Sequence, residues 1–101
     1  MLIYNVTTKL SWPIHEAWLK WMKEKHIPEI LATGCFTDAR FVRLLDTDEA
    51  EGPTYAVQFF AETAEQYQKY LDAHAPLLRK EAMETWGEQF ISFRTLMQVV
   101  N

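Results

Sequence analysis

Four extended apolar stretches, with only two helical ones between them, limit what this chain can fold into. Leu2–Lys9, Phe36–Leu45, Thr54–Ala61 and Phe90–Val100 are rich in β-branched and aromatic residues and read as strands. After the first, Ile14, Ala17, Trp18, Trp21 and Met22 recur at helical spacing. After the third, Tyr67, Tyr70, Leu71 and His74 do the same, followed by Leu77, Leu78, Ala82, Met83 and Trp86. Ser11 is placed to cap the first helix, with Pro13 in its first turn, and Thr63 to cap the second. "DTDEAEGP", Asp46 to Pro53, is a polar turn that makes strands two and three a hairpin.

The order is therefore β-α-β-β-α-β. Right-handed crossovers leave a gap beside strand one that strand three fills, which predicts an α+β, ferredoxin-like fold with a four-stranded antiparallel sheet. Strands one and three are central and strands two and four form the edges. Charge placement agrees. Arg40, Arg43 and Arg94 fall on the predicted edges, where charge discourages stray pairing, and the predicted central strands carry none over Leu2–Thr8 or Thr54–Phe60.

Two helices cover only one face of such a sheet, so the other should turn polar. The strands do not read that way. On strand four, Phe90, Leu96 and Val100 share one face, while Ile91, Phe93, Met97 and Val99 share the other. Strand one offers Leu2, Tyr4 and Val6 against Ile3, and strand three offers Tyr55, Val57 and Phe59 against Ala56 and Phe60. A sheet that is apolar on both sides needs a second cover, and the simplest is a second copy packed sheet on sheet in a two-fold homodimer. Scattered exposure of some of these residues is the other explanation.

With 101 residues the expectation is a single domain over residues 1–101. Net charge is −4 with no basic stripe, which argues against a nucleic-acid partner. No apolar run is long enough to cross a membrane, and the start, "MLIYNVTTKL", reads as a strand and not a signal peptide. One cysteine, Cys35, forbids an internal disulfide; a cytoplasmic setting is expected. As a small apolar residue at a strand start, Cys35 reads as buried packing.

Two of the three histidines stand two residues before a proline. "EKHIPEILATG" runs from Glu24 to Gly34, and "LDAHAPLLRKEAMETWG" from Leu71 to Gly87. In each, the helix should end before the proline, restart, and stop at a glycine, with the first helix ending near Lys25. Each restart exposes unpaired N–H groups that attract anions. Glu29 partly serves the first; the second offers Leu77, Leu78, Arg79 and Lys80 with no acid in its first turn. His26 and His74 are thus candidates for a general base or a ligand hydrogen bond, or else they satisfy carbonyls freed at the kinks.

"MLIYNVTTKL", "WLKWMKEKHIPEILATGCF", "YAVQFF", "YLDAHAPLL" and "FISFRTLMQVV" resemble a domain-of-unknown-function family of small bacterial proteins. That family is similar to the dimeric α+β barrel superfamily, and the resemblance covers essentially the whole chain. It implies the ferredoxin-like fold and a homodimer. Relatives in the superfamily include cofactor-independent monooxygenases, haem-degrading enzymes, isomerases, cyclases and small dehydratases. Asn5 and His74 match in kind the asparagine and histidine of the haem-degrading relatives, but the tryptophan of those proteins has no counterpart near Tyr67 and Tyr70.

The residues support a small apolar or anionic ligand held between helices and sheet by Trp18, Trp21, His26, Tyr67 and His74. Tyr4 or Tyr55 could orient it if its side chain faces the helices. Without a cofactor, chemistry of the monooxygenase, cyclase or isomerase kind would rest on His26 or His74. The alternative is a non-enzymatic dimeric module in which every aromatic serves packing. No metal site is expected: His15 and His26 are about 16 Å apart along a helix, and no phosphate loop, nucleophile triad or zinc-protease motif is present.

Overall fold

Alternation along the strands decides which residues meet the helices. The computed structural model describes residues 1–101. β1 (Leu2–Leu10), β2 (Asp38–Arg43), β3 (Thr54–Ala61) and β4 (Phe90–Gln98) form one antiparallel sheet in the order β2-β3-β1-β4. The expected central pair and edges are as read from the sequence. Tyr4, Val6 and Thr8 of β1 face the helical layer, together with Val57 and Phe59 of β3. Rings of Tyr4, Phe36, Phe59 and Tyr70 form the centre of the core, with Phe36 lying 5.3 Å from Phe59 and 4.9 Å from Tyr70. Cys35 is buried beside them.

The helical layer corrects one expectation. The first helix does not end near Lys25. α1 (His15–Trp21) passes through a π turn over Met22–His26 into α2 (Ile27–Ala32) with helical dihedrals throughout. Pro28 lacks an N–H, and its ring would collide with the carbonyl four residues back in a regular helix. The widened turn accommodates this: the Ile27 N–H reaches back five residues to the Met22 carbonyl. The second histidine–proline segment is a true break. His74 has φ −125° and ψ −39°, outside the helical region, so α3 (Ala64–Ala73) and α4 (Ala75–Trp86) are separate helices. The two segments look alike in sequence but solve the proline problem differently.

Thr63 caps α3 as expected, its hydroxyl accepting from the Gln66 N–H at 3.2 Å. Ser11 makes no such cap; its hydroxyl points to Gln89 at 3.4 Å, and a single 3-10 turn over Trp12–Ile14 precedes α1. Gly34 and Gly87 end their helices with φ of +77° and +60°, the conformation glycine accepts without strain.

The sheet's second face is only partly apolar. Val42, Ile91 and Phe93 stand exposed there, and Ile3, Phe60 and Met97 share that side. One register row across it, Arg40–Gln58–Asn5–Thr95, is polar. The expectation of a sheet apolar on both sides is corrected at this row, which only the register between strands brings together.

Gly52 fastens the β2–β3 connection to the end of β1. A Cβ there would lie 1.6 Å from the Leu10 carbonyl oxygen, while the Leu10 N–H donates to the Pro53 carbonyl at 3.2 Å. Backbone on backbone leaves nothing flexible to yield. Gly52→Ala should cost about 1–3 kcal/mol and lower Tm by about 4–8 °C per kcal/mol in a domain this small. An unchanged Tm by calorimetry would refute the close approach.

Candidate functional site

The two helical arms do not close completely on the sheet. Between the π turn, α4 and the β1–β4 side they leave a cavity of about 340 Å³, lined mainly by hydrophobic side chains. That size suits a small molecule. Trp18, Trp21, Met22 and His26 form one wall, and Leu78, Ala82, Met83 and Trp86 of α4 form the other. The cavity opens between α4 and β4, where Arg79, Met83 and Arg94 are exposed.

Three polar features interrupt the hydrocarbon. The first is Tyr4. Its hydroxyl accepts from Arg79 Nη2 at 3.0 Å and from Arg94 Nε at 3.1 Å. The two guanidinium nitrogens are thus no more than about 6 Å apart. Neither arginine has a carboxylate partner: the ion pairs are Lys25 with Glu29 and Glu81, Arg43 with Glu49, and Lys80 with Glu84. Two like charges at that spacing repel by about 1–3 kcal/mol near a protein surface. The Tyr4 ring is fixed by Tyr67 at 5.4 Å and Tyr70 at 5.8 Å. Burial pushes the Tyr70 hydroxyl pKa upward, with Tyr4 adding to the shift, so Tyr70 stays protonated.

The second feature is the corner made by the π turn. The His26 ring lies on Trp21 at 4.4 Å and 16°, and Trp86 stands nearly perpendicular to Trp21 at 5.7 Å. His26 Nδ1 and Trp86 Nε1 are buried with no hydrogen-bond partner. Burial lowers the His26 pKa, against the weaker upward pull of Glu81 and Glu29. The imidazole is therefore neutral at physiological pH. The third feature is a hydroxyl pair on the cavity floor, Thr8 Oγ1 and Ser92 Oγ, 2.9 Å apart across β1 and β4.

Of the candidate residues, Trp18, Trp21 and His26 line the cavity. Tyr67 and His74 do not. Tyr67 packs against Tyr4 from behind, and His74 sits at the α3–α4 break, 6.5 Å from Tyr70. Tyr55 is bonded to His15 at 2.7 Å, away from the cavity. Asn5 projects from the opposite face of the sheet and donates to Thr7, so it cannot share a site with His74; the residues do not fit a haem. Arg94, Thr8 and Ser92 are not among the candidates that the sequence offers, whereas Arg79 lies in the second helix restart, where the sequence favours an anion. Thr8 shares a strand face with Tyr4, a readable signal, but their approach to β4 depends on register.

A family model, Domain of unknown function (DUF4286), matches residues 1–100, and the chain belongs to that family. No curated protein matches it. Among solved structures, the chain is similar to an ethyl tert-butyl ether d (ethd) family protein from Bacillus halodurans. That match has 12% identity and a TM-score of 0.73, covering 99% of this chain and 100% of that one. It is also similar to a cofactor-independent oxygenase from Streptomyces nogalater, with 13% identity, a TM-score of 0.67 and coverage of 99% and 94%. A putative antibiotic biosynthesis monooxygenase from Bordetella bronchiseptica gives 17%, 0.65 and coverage of 99% and 98%. These likenesses show the fold, a ferredoxin-like α+β arrangement with a four-stranded antiparallel sheet.

The neutral, buried His26 has a consequence for stability. Its folded pKa lies below the unfolded 6.5, so the unfolded chain binds the extra proton first. The contribution of His26 to stability is intact above about pH 6.5 and declines as pH falls from there toward the lowered folded value. Denaturant titrations between pH 7.5 and pH 5 should show this decline, and His26→Phe should flatten it. An equal slope in parent and variant would rule His26 out as its source.

Proposed function

We propose that this member of the DUF4286 family binds a small, flat, largely apolar molecule carrying an anionic group in the cavity between helices and sheet, and does so as a homodimer. The observation that carries the ligand reading is the meeting of two arginines without carboxylates at the Tyr4 hydroxyl, on the rim of an apolar cavity. Each guanidinium keeps donors to spare. An anion placed there removes the repulsion between them and gains charge-assisted hydrogen bonds, while the Trp18, Trp21 and Trp86 walls take a flat apolar body.

The homodimer reading is supported by the exposed Val42, Ile91 and Phe93 on the face away from the helices, joined there by Ile3, Phe60 and Met97. A partner sheet presenting the same apolar residues would cover that surface. The polar row through Asn5 and Gln58 would then fix the register of the pair, since displaced packing would bury it against hydrocarbon.

Thermal melting with 2-naphthoate tests the ligand reading. Tm should rise with concentration, and Arg79→Met or Arg94→Met should each weaken binding by about tenfold to a hundredfold, the worth of a charged hydrogen bond. A rise that persists in both variants would refute the arginine pair as the anion site. No rise in the parent protein would favour the non-enzymatic module instead. Light scattering at micromolar concentration should give twice the 11.9 kDa chain mass, and Phe93→Lys should reduce it to the single-chain value. A parent protein already at 11.9 kDa would end the dimer proposal.

A further inference from the structure

We infer that the ligand of this cavity is not a simple aryl anion but one bearing a second oxygen function, a hydroxyl or carbonyl, held by the Thr8–Ser92 hydroxyl pair. The inference rests on the pocket reading above and deepens it.

Thr8 is nearly fully buried and its hydroxyl meets only that of Ser92, at 2.9 Å. Each hydroxyl carries one hydrogen and can accept two. One hydrogen is used between the two oxygens, and the other has no acceptor in the protein. Val6, Trp18, Val57 and Phe90, which line the same cavity, carry no side-chain oxygen. A donor left over in an apolar cavity is costly, so a ligand oxygen that accepts it gains more than the same contact would in water. A cross-strand Thr–Ser bond serving the sheet alone would lie equally well on the open face. Here both residues line the cavity.

The spacing defines the ligand class. Ser92 and Arg94 share a face of β4 two residues apart, about 7 Å along the strand. The Arg94 head is turned toward Tyr4, which pairs with Leu96, four residues from Ser92 and about 13 Å along the strand. The anionic group and the second oxygen should therefore be separated by roughly 7–13 Å. Two fused or linked flat rings, acidic at one end and oxygenated at the other, meet that condition. Oxygenated polycyclic aryl carboxylates are the chemical class.

The test uses tryptophan fluorescence of the whole chain with three probes: 2-naphthoate, 6-hydroxy-2-naphthoate and 2-naphthol. The hydroxynaphthoate should bind about tenfold more tightly than 2-naphthoate, the value of one added hydrogen bond. The isosteric Thr8→Val and the edge-strand Ser92→Ala should each bring the ratio of the two carboxylate affinities to about one, whatever their effect on either affinity alone. Should one variant fail to fold, the other and the parent ratio still decide. Equal affinities of the two carboxylates for the parent protein would overturn the second-oxygen inference and leave the pocket reading standing. Binding of 2-naphthol as tight as that of either carboxylate, or of no probe at all, would overturn both.

Discussion

Tyr4 stands where the sheet, both helical arms and the cavity meet. Its ring is packed by Phe36, Phe59, Tyr67 and Tyr70, so its position is set by the core. Its hydroxyl emerges at the cavity rim and takes hydrogen bonds from α4 through Arg79 and from the edge strand β4 through Arg94. A neutral hydroxyl can accept both bonds but cannot cancel either charge. The core therefore holds two cations close together with nothing negative between them. Removing Tyr4 would leave two flexible arginines free to separate; keeping it fixes the spacing that the proposed anion site requires.

The π turn supplies the opposite wall. A regular helix would have broken at Pro28, and its second half could have left in another direction. The widened turn keeps the segment continuous and brings Trp21 and His26 into a parallel stack beside Trp86. Two buried nitrogens remain without partners there, at a cost of about 1–3 kcal/mol each. Such turns recur at functional sites because they trade local stability for side-chain placement. The break at His74 does something different: it begins α4, from which Arg79 reaches the Tyr4 hydroxyl, while His74 itself does not line the cavity.

Strand order, edge arginines and the glycines that end the helical arms were legible because each follows from local chemistry: β-branched runs, charge placement, and glycine at positive φ. Trp18 and Trp21 were legible as a pair because helical spacing places them on one side, and His26 because it stands two residues before Pro28. What local reading could not supply was the register between β1 and β4. Thr8 and Ser92 are 84 positions apart, and their meeting depends on the pairing of whole strands. Arg94 read as an edge charge, since nothing nearby in sequence shows that it points inward. The two histidine–proline segments were legible as special but not as different, because a proline can be met by breaking a helix or by widening it, and packing decides which.

The most direct test of the proposed anion site is a nitrogen-15 NMR titration that follows arginine side-chain Nε–H signals as 2-naphthoate is added. Arg79 and Arg94 signals should move together and saturate, while those of Arg40 and Arg43, on the far edge strand, stay in place. Saturating shifts confined to Arg40 or Arg43, or no shift at Arg79 and Arg94 while 2-naphthoate is bound, would contradict the account.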